Sequence, residues 1–191
     1  MSADDAGPAP IPFTLDGRAL DARPGETILS AAARHGIAIP HLCAADGLAP
    51  AGNCRACMVA IDGERTLAPA CCRTPAAGMQ VRLESERVRK TQRLVLELLA
   101  AETAGAVQKP DSELTHWQQA LGVTSTRFAA RMQPPADASH PAIRVALDAC
   151  IQCTRCLRAC RDVQVNDVIG LAARGSGARI VFDLGDTLAA S

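Results

Sequence analysis

The sequence predicts an α+β chain: a small hairpin-rich sheet crossed by one helix, a helical connector and a second compact module. Three observations carry that prediction. Asp16-Gly17 and Asp62-Gly63 each sit between short apolar runs, the pattern of hairpins closed by type I′ turns. Ser85 to Ala101 repeats its apolar residues with helical period. Nine cysteines fall into two groups, Cys43 to Cys72 and Cys150 to Cys160, with none between them.

In chain order, residues 1–10 are a Pro- and Ala-rich leader, expected to be disordered. Residues 11–84 form the sheet module. Ile11 to Leu15 and Arg18 to Ala22 flank the first Asp-Gly turn, and Pro24-Gly25 then reverses the chain. Thr27 is placed to cap a helix through Arg34, with Gly36 as its stop. Met58 to Ile61 and Arg65 to Leu67 flank the second Asp-Gly, and Met79 to Leu83 is a returning strand. Residues 85–132 form a helical connector. Its first helix has an apolar stripe of Val88, Leu94, Val95, Leu98 and Leu99, opposite a solvated basic face of Arg87, Arg89, Lys90 and Arg93. Asp111 or Ser112 caps a second helix through Leu121, stopped by Gly122, with Trp117 as the anchor of a small core. Residues 133–141 are a Pro-rich extended linker. In residues 142–191, Ile143 to Leu147 and Arg179 to Leu184 are strands expected to pair around a cysteine loop and a short helix.

Composition narrows the function. Twenty basic and twenty acidic residues balance, which excludes the basic excess of a general phosphate-backbone binder. Only four residues are aromatic, so the core is aliphatic and thin, and a metal staple would help such a chain fold. No apolar run reaches the roughly 18–20 residues of a membrane span. The acidic N-terminus lacks the features of a signal peptide, so a cytoplasmic location is expected. In that reducing setting the cysteines read as metal or cluster ligands rather than disulfides.

The first group runs Cys43-x10-Cys54-x2-Cys57-x13-Cys71. Four thiolates suit zinc or an iron–sulfur cluster as donors. Only one close pair is present, whereas structural zinc sites usually show two. The glycine and small side chains of Ala51 to Cys57 let backbone N–H groups approach cluster sulfides, which favours [2Fe–2S] over the zinc alternative. The second group, Cys150-x2-Cys153-x2-Cys156-x3-Cys160, is the run of bacterial-type ferredoxins. The first three cysteines wrap one [4Fe–4S] cubane, which has no obvious fourth ligand within this chain and is expected to be incomplete without a partner that supplies one. The fourth, Cys160, follows on a helix and serves the other cluster of a two-cluster ferredoxin. Arg161 stands where a proline usually follows the fourth cysteine.

Residues 11 to 83 resemble a known family, the β-grasp [2Fe–2S] domain. That domain opens the large iron–sulfur subunit of respiratory complex I, soluble hydrogenase diaphorase subunits and the alpha subunit of NAD-dependent molybdenum or tungsten formate dehydrogenases. The resemblance rests on Ile39-Pro40-His41-Leu42-Cys43, on Gly52-Asn53-Cys54-Arg55-Ala56-Cys57-Met58-Val59, on Leu67 to Cys72 and on Gly78-Met79. It places the fourth ligand on Cys71. Cys72 is the neighbouring alternative, otherwise a small buried residue or a free thiol. Residues 140 to 184 are similar to the formate dehydrogenase alpha subunit in particular, through Leu147-Asp148-Ala149-Cys150-Ile151-Gln152-Cys153, Arg161 to Gly170 and Ile180 to Asp183. In that family a second four-cysteine run and a molybdopterin-binding region follow. The resemblance therefore covers the front of such a subunit and implies a half ferredoxin-like module here. Complex I relatives also carry a His-x3-Cys-x2-Cys-x5-Cys site between the modules. The equivalent stretch here, from His116 to Ala120, has no cysteine, so that cluster cannot be built. His116 is then an ordinary helix residue. His41 is an outer-shell donor to the first cluster or a surface residue.

The resemblance implies one-electron transfer between a formate dehydrogenase-type molybdopterin unit and a flavin/NAD unit on other chains. The alternatives are a hydrogenase or NADH dehydrogenase electron-transfer subunit, or a non-redox zinc-stapled docking module. No Gly-x-Gly-x-x-Gly fingerprint, phosphate loop or nucleophile–base set is present, and no catalytic residue is expected in this chain.

Overall fold

A computed structural model describes residues 9–106, 109 and 111–191. Most of the expected leader lies outside the described residues. The chain divides into two compact units: up to His41 with Arg55–Gln92, and Leu42–Cys54 with Arg93–Ser191.

The first unit contains a five-stranded sheet in the order β2-β1-β5-β3-β4. Strands β1 (Ile11–Leu15) and β2 (Arg18–Ala22) form the expected hairpin. Asp16 and Gly17 both have positive φ, 49° and 79°, as a type I′ turn requires. The parallel pairing of β1 with β5 (Gln80–Arg82) brings the ends of this unit's chain side by side. Helix α1 (Ile28–Arg34) starts where Thr27 Oγ1 accepts the Ser30 N–H at 3.1 Å. It buries Ile28, Leu29, Ala31 and Ala32, while Phe13, Leu15, Leu20, Val59, Ile61 and Val81 supply the apolar side chains of the sheet.

The second hairpin differs from expectation. Strand β3 is Met58–Ile61, but its partner β4 is Ala68–Pro69 rather than Arg65 to Leu67. Gly63 has positive φ and Asp62 does not. The Asp62 carboxylate instead takes two hydrogen bonds from Arg82, at 2.7 Å each. The turn therefore widens, and pairing resumes only at Ala68.

Strand β5 is shorter than the expected Met79 to Leu83, and its end explains a buried polar residue. The β3–β5 register pairs Ala60 with Arg82, so a longer ladder would set Glu84 N–H against the Met58 carbonyl. Asp16 Oδ1 takes the Leu83 and Glu84 N–H groups instead, at 2.9 and 3.2 Å. Gln92 Nε2 then donates to the Met58 carbonyl at 3.0 Å. Helix α2 (Glu86–Glu102) consequently buries Val88, Gln92 and Leu96, an i, i+4 line. This corrects the expected stripe: Leu98 is exposed, and Leu94, Val95 and Leu99 are half-buried. The basic face is exposed as expected.

In the second unit, helix α3 (Glu113–Ala120) is capped by Ser112 and followed by Gly122 with positive φ. Its buried residue is Leu114; Trp117 is half-buried, so the expected anchor shifts by three residues. Residues Ile143 to Leu147 do not form the expected strand. Val145 makes one two-bond bridge with Asp137, at 2.9 and 2.8 Å, and a 3-10 turn follows at Leu147–Ala149. Strand β7 (Arg179–Phe182) pairs instead with β6 (Ile169–Ala172). The short connection makes that local hairpin the cheaper closure. Helix α4 (Arg155–Arg158) carries Cys156 and a π-turn (Ala159–Val163) carries Cys160, while Cys150 and Cys153 lie on the turn that precedes them.

Candidate iron–sulfur sites

The ends of β3 and β4 set Cys57 and Cys71. Met58 lies opposite Pro69, and the Ala70 N–H donates to the Cys57 carbonyl at 2.9 Å, so the two cysteines leave adjacent strands one step apart. The first turn of α1 holds the same segment: the Ile28 and Leu29 N–H groups donate to the Arg73 and Ala70 carbonyls at 2.8 and 3.0 Å. These are N–H groups a helix start cannot satisfy internally. Cys57 and Cys71 are both buried. Cys72 is exposed, with its Sγ 3.5 Å from that of Cys71. That position suits a free thiol and corrects the small-buried-residue alternative. His41 is half-buried, and its Nδ1 lies 2.8 Å from the Ile39 carbonyl.

In the second unit, Cys43 and Cys54 are buried at either end of the loop Leu42–Cys54. Buried Gly52, φ 64°, turns that loop through the left-handed region.

Cys150, Cys153 and Cys156 occupy a turn in which Gln152 and Thr154 both have positive φ, 53° and 59°. Such backbone persists only where its surroundings hold it. Gln133 Nε2 donates to the Cys150 carbonyl at 3.1 Å, and Gln152 Nε2 to that of Ala178. Desolvation pushes the Cys150 thiol up, and the charge of Cys153 raises it further. Cys156 is raised by desolvation first, then by Cys153 and Cys150, although the residue reaches the surface. Cys160 sits apart in the π-turn, its Sγ donating to the Asn166 carbonyl at 2.7 Å.

Among the described residues no three His, Cys, Asp or Glu side chains meet at a single-ion site. A [2Fe–2S] core takes two thiolates per iron and a cubane one, so clusters do not ask for that geometry. The donor chemistry fits: the buried thiols of Cys43, Cys54, Cys57 and Cys71 suit a soft, sulfide-bridged group, and Cys150, Cys153 and Cys156 offer three more soft donors on one turn. His116 is exposed on α3, in edge contact with Trp117 at 4.9 Å between ring centroids.

Sequence reasoning missed the polar straps of the second unit. Asn53 Nδ2 donates to Thr154 Oγ1 at 2.6 Å, Arg155 pairs with Glu113 and donates to the Ala44 carbonyl, and Arg158 is buried. The available signal was arginine spacing: Arg155 and Arg158, three apart, share one helical face among the cysteines.

Residues 8–86 match the 2Fe-2S iron-sulfur cluster binding domain, and residues 140–191 the ferredoxin-like domain of NADH-quinone oxidoreductase subunit 3. The chain is 32% identical over 187 residues to the mitochondrial NADH-ubiquinone oxidoreductase 78 kDa subunit of Candida albicans, covering 94% of this chain and 26% of that one. It is 33% identical over 176 residues to the second G-type NADH-quinone oxidoreductase subunit of Rhizobium meliloti, covering 86% and 20%. The chain thus spans about a quarter or less of these relatives. A solved chain of an NAD+-reducing [NiFe]-hydrogenase in the H2-reduced state superposes with a TM-score of 0.83 at 31% identity, over 93% of this chain and 79% of that chain. The fold is the expected α+β arrangement of a [2Fe–2S] ferredoxin-like domain and a [4Fe–4S] ferredoxin-like module, and its cofactors are iron–sulfur clusters of those two kinds. The chain belongs to the family of iron–sulfur oxidoreductase subunits in which a 2Fe-2S domain precedes the ferredoxin-like domain of NADH-quinone oxidoreductase subunit 3.

Proposed function

We propose that this chain carries electrons one at a time between a formate dehydrogenase-type molybdopterin unit and a flavin/NAD unit. The observation that carries the redox reading is the placement of Cys150, Cys153 and Cys156 on one turn held in left-handed backbone at Gln152 and Thr154, a spacing from which three thiolates can hold one cubane. Residues 11–84 would hold a [2Fe–2S] cluster through Cys43, Cys54, Cys57 and Cys71. Residues 142–191 would hold a [4Fe–4S] cluster through Cys150, Cys153 and Cys156, with Cys160 serving a different cluster. The 85–132 connector would carry no cluster. When bound, the clusters accept and release single electrons with little ligand movement. The chain itself buries Cys43, Cys54, Cys57 and Cys71 and fixes the cysteine loops through Gln133, Gln152 and the α1 N-terminus.

No helix among the described residues is long and apolar enough to cross a membrane. The formate partner rests on the resemblance of residues 140 to 184. Oxidation of formate to carbon dioxide releases one proton and two electrons, and NAD+ takes up two electrons and one proton to become NADH. The test is anaerobic purification of the tagged chain with its partners, followed by addition of formate, hydrogen or NADH. Reduction of both clusters by formate, reversed by NAD+, supports the proposal. Reduction by hydrogen or NADH but not formate assigns the chain to a hydrogenase or an NADH dehydrogenase instead.

A further inference from the structure

Arg158 is 9% exposed, and among the described residues no carboxylate is within ion-pair distance of it. Its donors all meet neutral oxygens. Nη1 donates to the Ala49 carbonyl at 2.6 Å, Nη2 to the Cys43 carbonyl at 2.5 Å and more weakly to that of Cys153 at 3.5 Å, and Nε to Thr154 Oγ1 at 3.3 Å. A buried charge without a counter-ion is costly unless something negative answers it. The backbones it grips belong to Cys43, placed in the first cluster, and to Cys153, placed in the second.

We propose that Arg158 is a positioning residue shared by the two cluster sites, its planar fork fixing the Cys43 loop against the Cys153 turn and its charge raising the reduction potential of both clusters. The inference rests on the ligand assignment above. A reduced cluster with its thiolates carries more negative charge than the oxidised one, so a fixed cation favours the reduced state. The fork matters separately, because a lysine carries the same charge as a point and cannot span carbonyls on two segments. Arg155 makes a neighbouring strap, but its charge is answered by Glu113. That leaves Arg158 as the uncompensated one.

The test is an EPR-monitored redox titration of the purified chain with Arg158→Gln and Arg158→Lys. Arg161→Gln, whose exposed arginine pairs with Asp167 at 2.9 Å, is the control. In Arg158→Gln the reduced-to-oxidised ratio of both clusters at a fixed potential is expected to fall about tenfold, ~59 mV for a one-electron couple. Arg158→Lys is expected to keep both potentials while weakening the magnetic interaction between the two reduced clusters. Unchanged potentials in Arg158→Gln, a shift of one cluster only, or an equal shift in Arg161→Gln overturns the inference. If Arg158→Gln loses its iron, Arg158→Lys decides. Both clusters at wild-type potentials support the inference; lowered potentials or lost iron overturn it. Failure of the ligand assignment itself is recognisable separately, because the wild-type chain would then lack the two cluster signals.

Discussion

Gln92 donates its side-chain amide to the Met58 carbonyl at 3.0 Å, occupying the place that the Glu84 N–H would fill in a longer β5. Gln92 is nearly fully buried, so Gln92→Ala leaves a backbone acceptor without its donor beside Cys57. A buried polar group left unsatisfied costs about 1–3 kcal/mol. Chemical denaturation of Gln92→Ala against wild type is expected to read a loss in that range. A variant as stable as wild type would show that the bond contributes nothing.

The fourth ligand of the first site is decided by two neighbouring substitutions. Cys71 is buried behind the β3–β4 pair, whereas Cys72 is exposed. Cys71→Ser is expected to abolish or strongly perturb the rhombic S = 1/2 signal of the reduced protein, and Cys72→Ser to leave it intact. The reverse outcome moves the ligand to Cys72.

The fold was legible in the sequence where local chemistry decides it. The Asp16-Gly17 turn, the Thr27 and Ser112 caps and the glycine stops after α1 and α3 lie where the residues put them. Failures came where distant partners decide. The helix stripe pointed to Leu98 because a buried Gln92 becomes acceptable only once the Met58 carbonyl is known to face it. Ile143 to Leu147 has a strand's composition, but β7 pairs with the nearer β6. The cysteine spacing gave both candidate sites, while the spacing of Arg155 and Arg158 hints at a shared face but not at the Ala44 and Cys43 carbonyls they hold, which are distant in sequence.

The connector is expected to carry no iron. His116 is exposed on α3, and no cysteine lies between Cys72 and Cys150. His116→Ala should therefore leave the iron-to-protein ratio unchanged in elemental analysis. Loss of a whole cluster's iron would place a site in this stretch.

Within the second group the cysteines are expected to divide. Cys153→Ser removes the middle of the three thiols on the Cys150–Cys156 turn, and should abolish the cubane spectrum. Cys160 bonds to Asn166 in the π-turn and should tolerate serine with the cubane's iron retained. Equal iron loss in both variants would make Cys160 a ligand of the same cluster.

The most direct test of the central claim is EPR of the anaerobically purified, dithionite-reduced chain, with iron, acid-labile sulfide and zinc measured on the same sample. Thiolate-held clusters in two separate sites predict a brown protein that contains iron and sulfide. It should show a rhombic S = 1/2 signal from a [2Fe–2S] cluster and a distinct, faster-relaxing signal from a cubane. A colourless protein with stoichiometric zinc and no sulfide would contradict the redox account and leave a zinc-stapled docking module in its place.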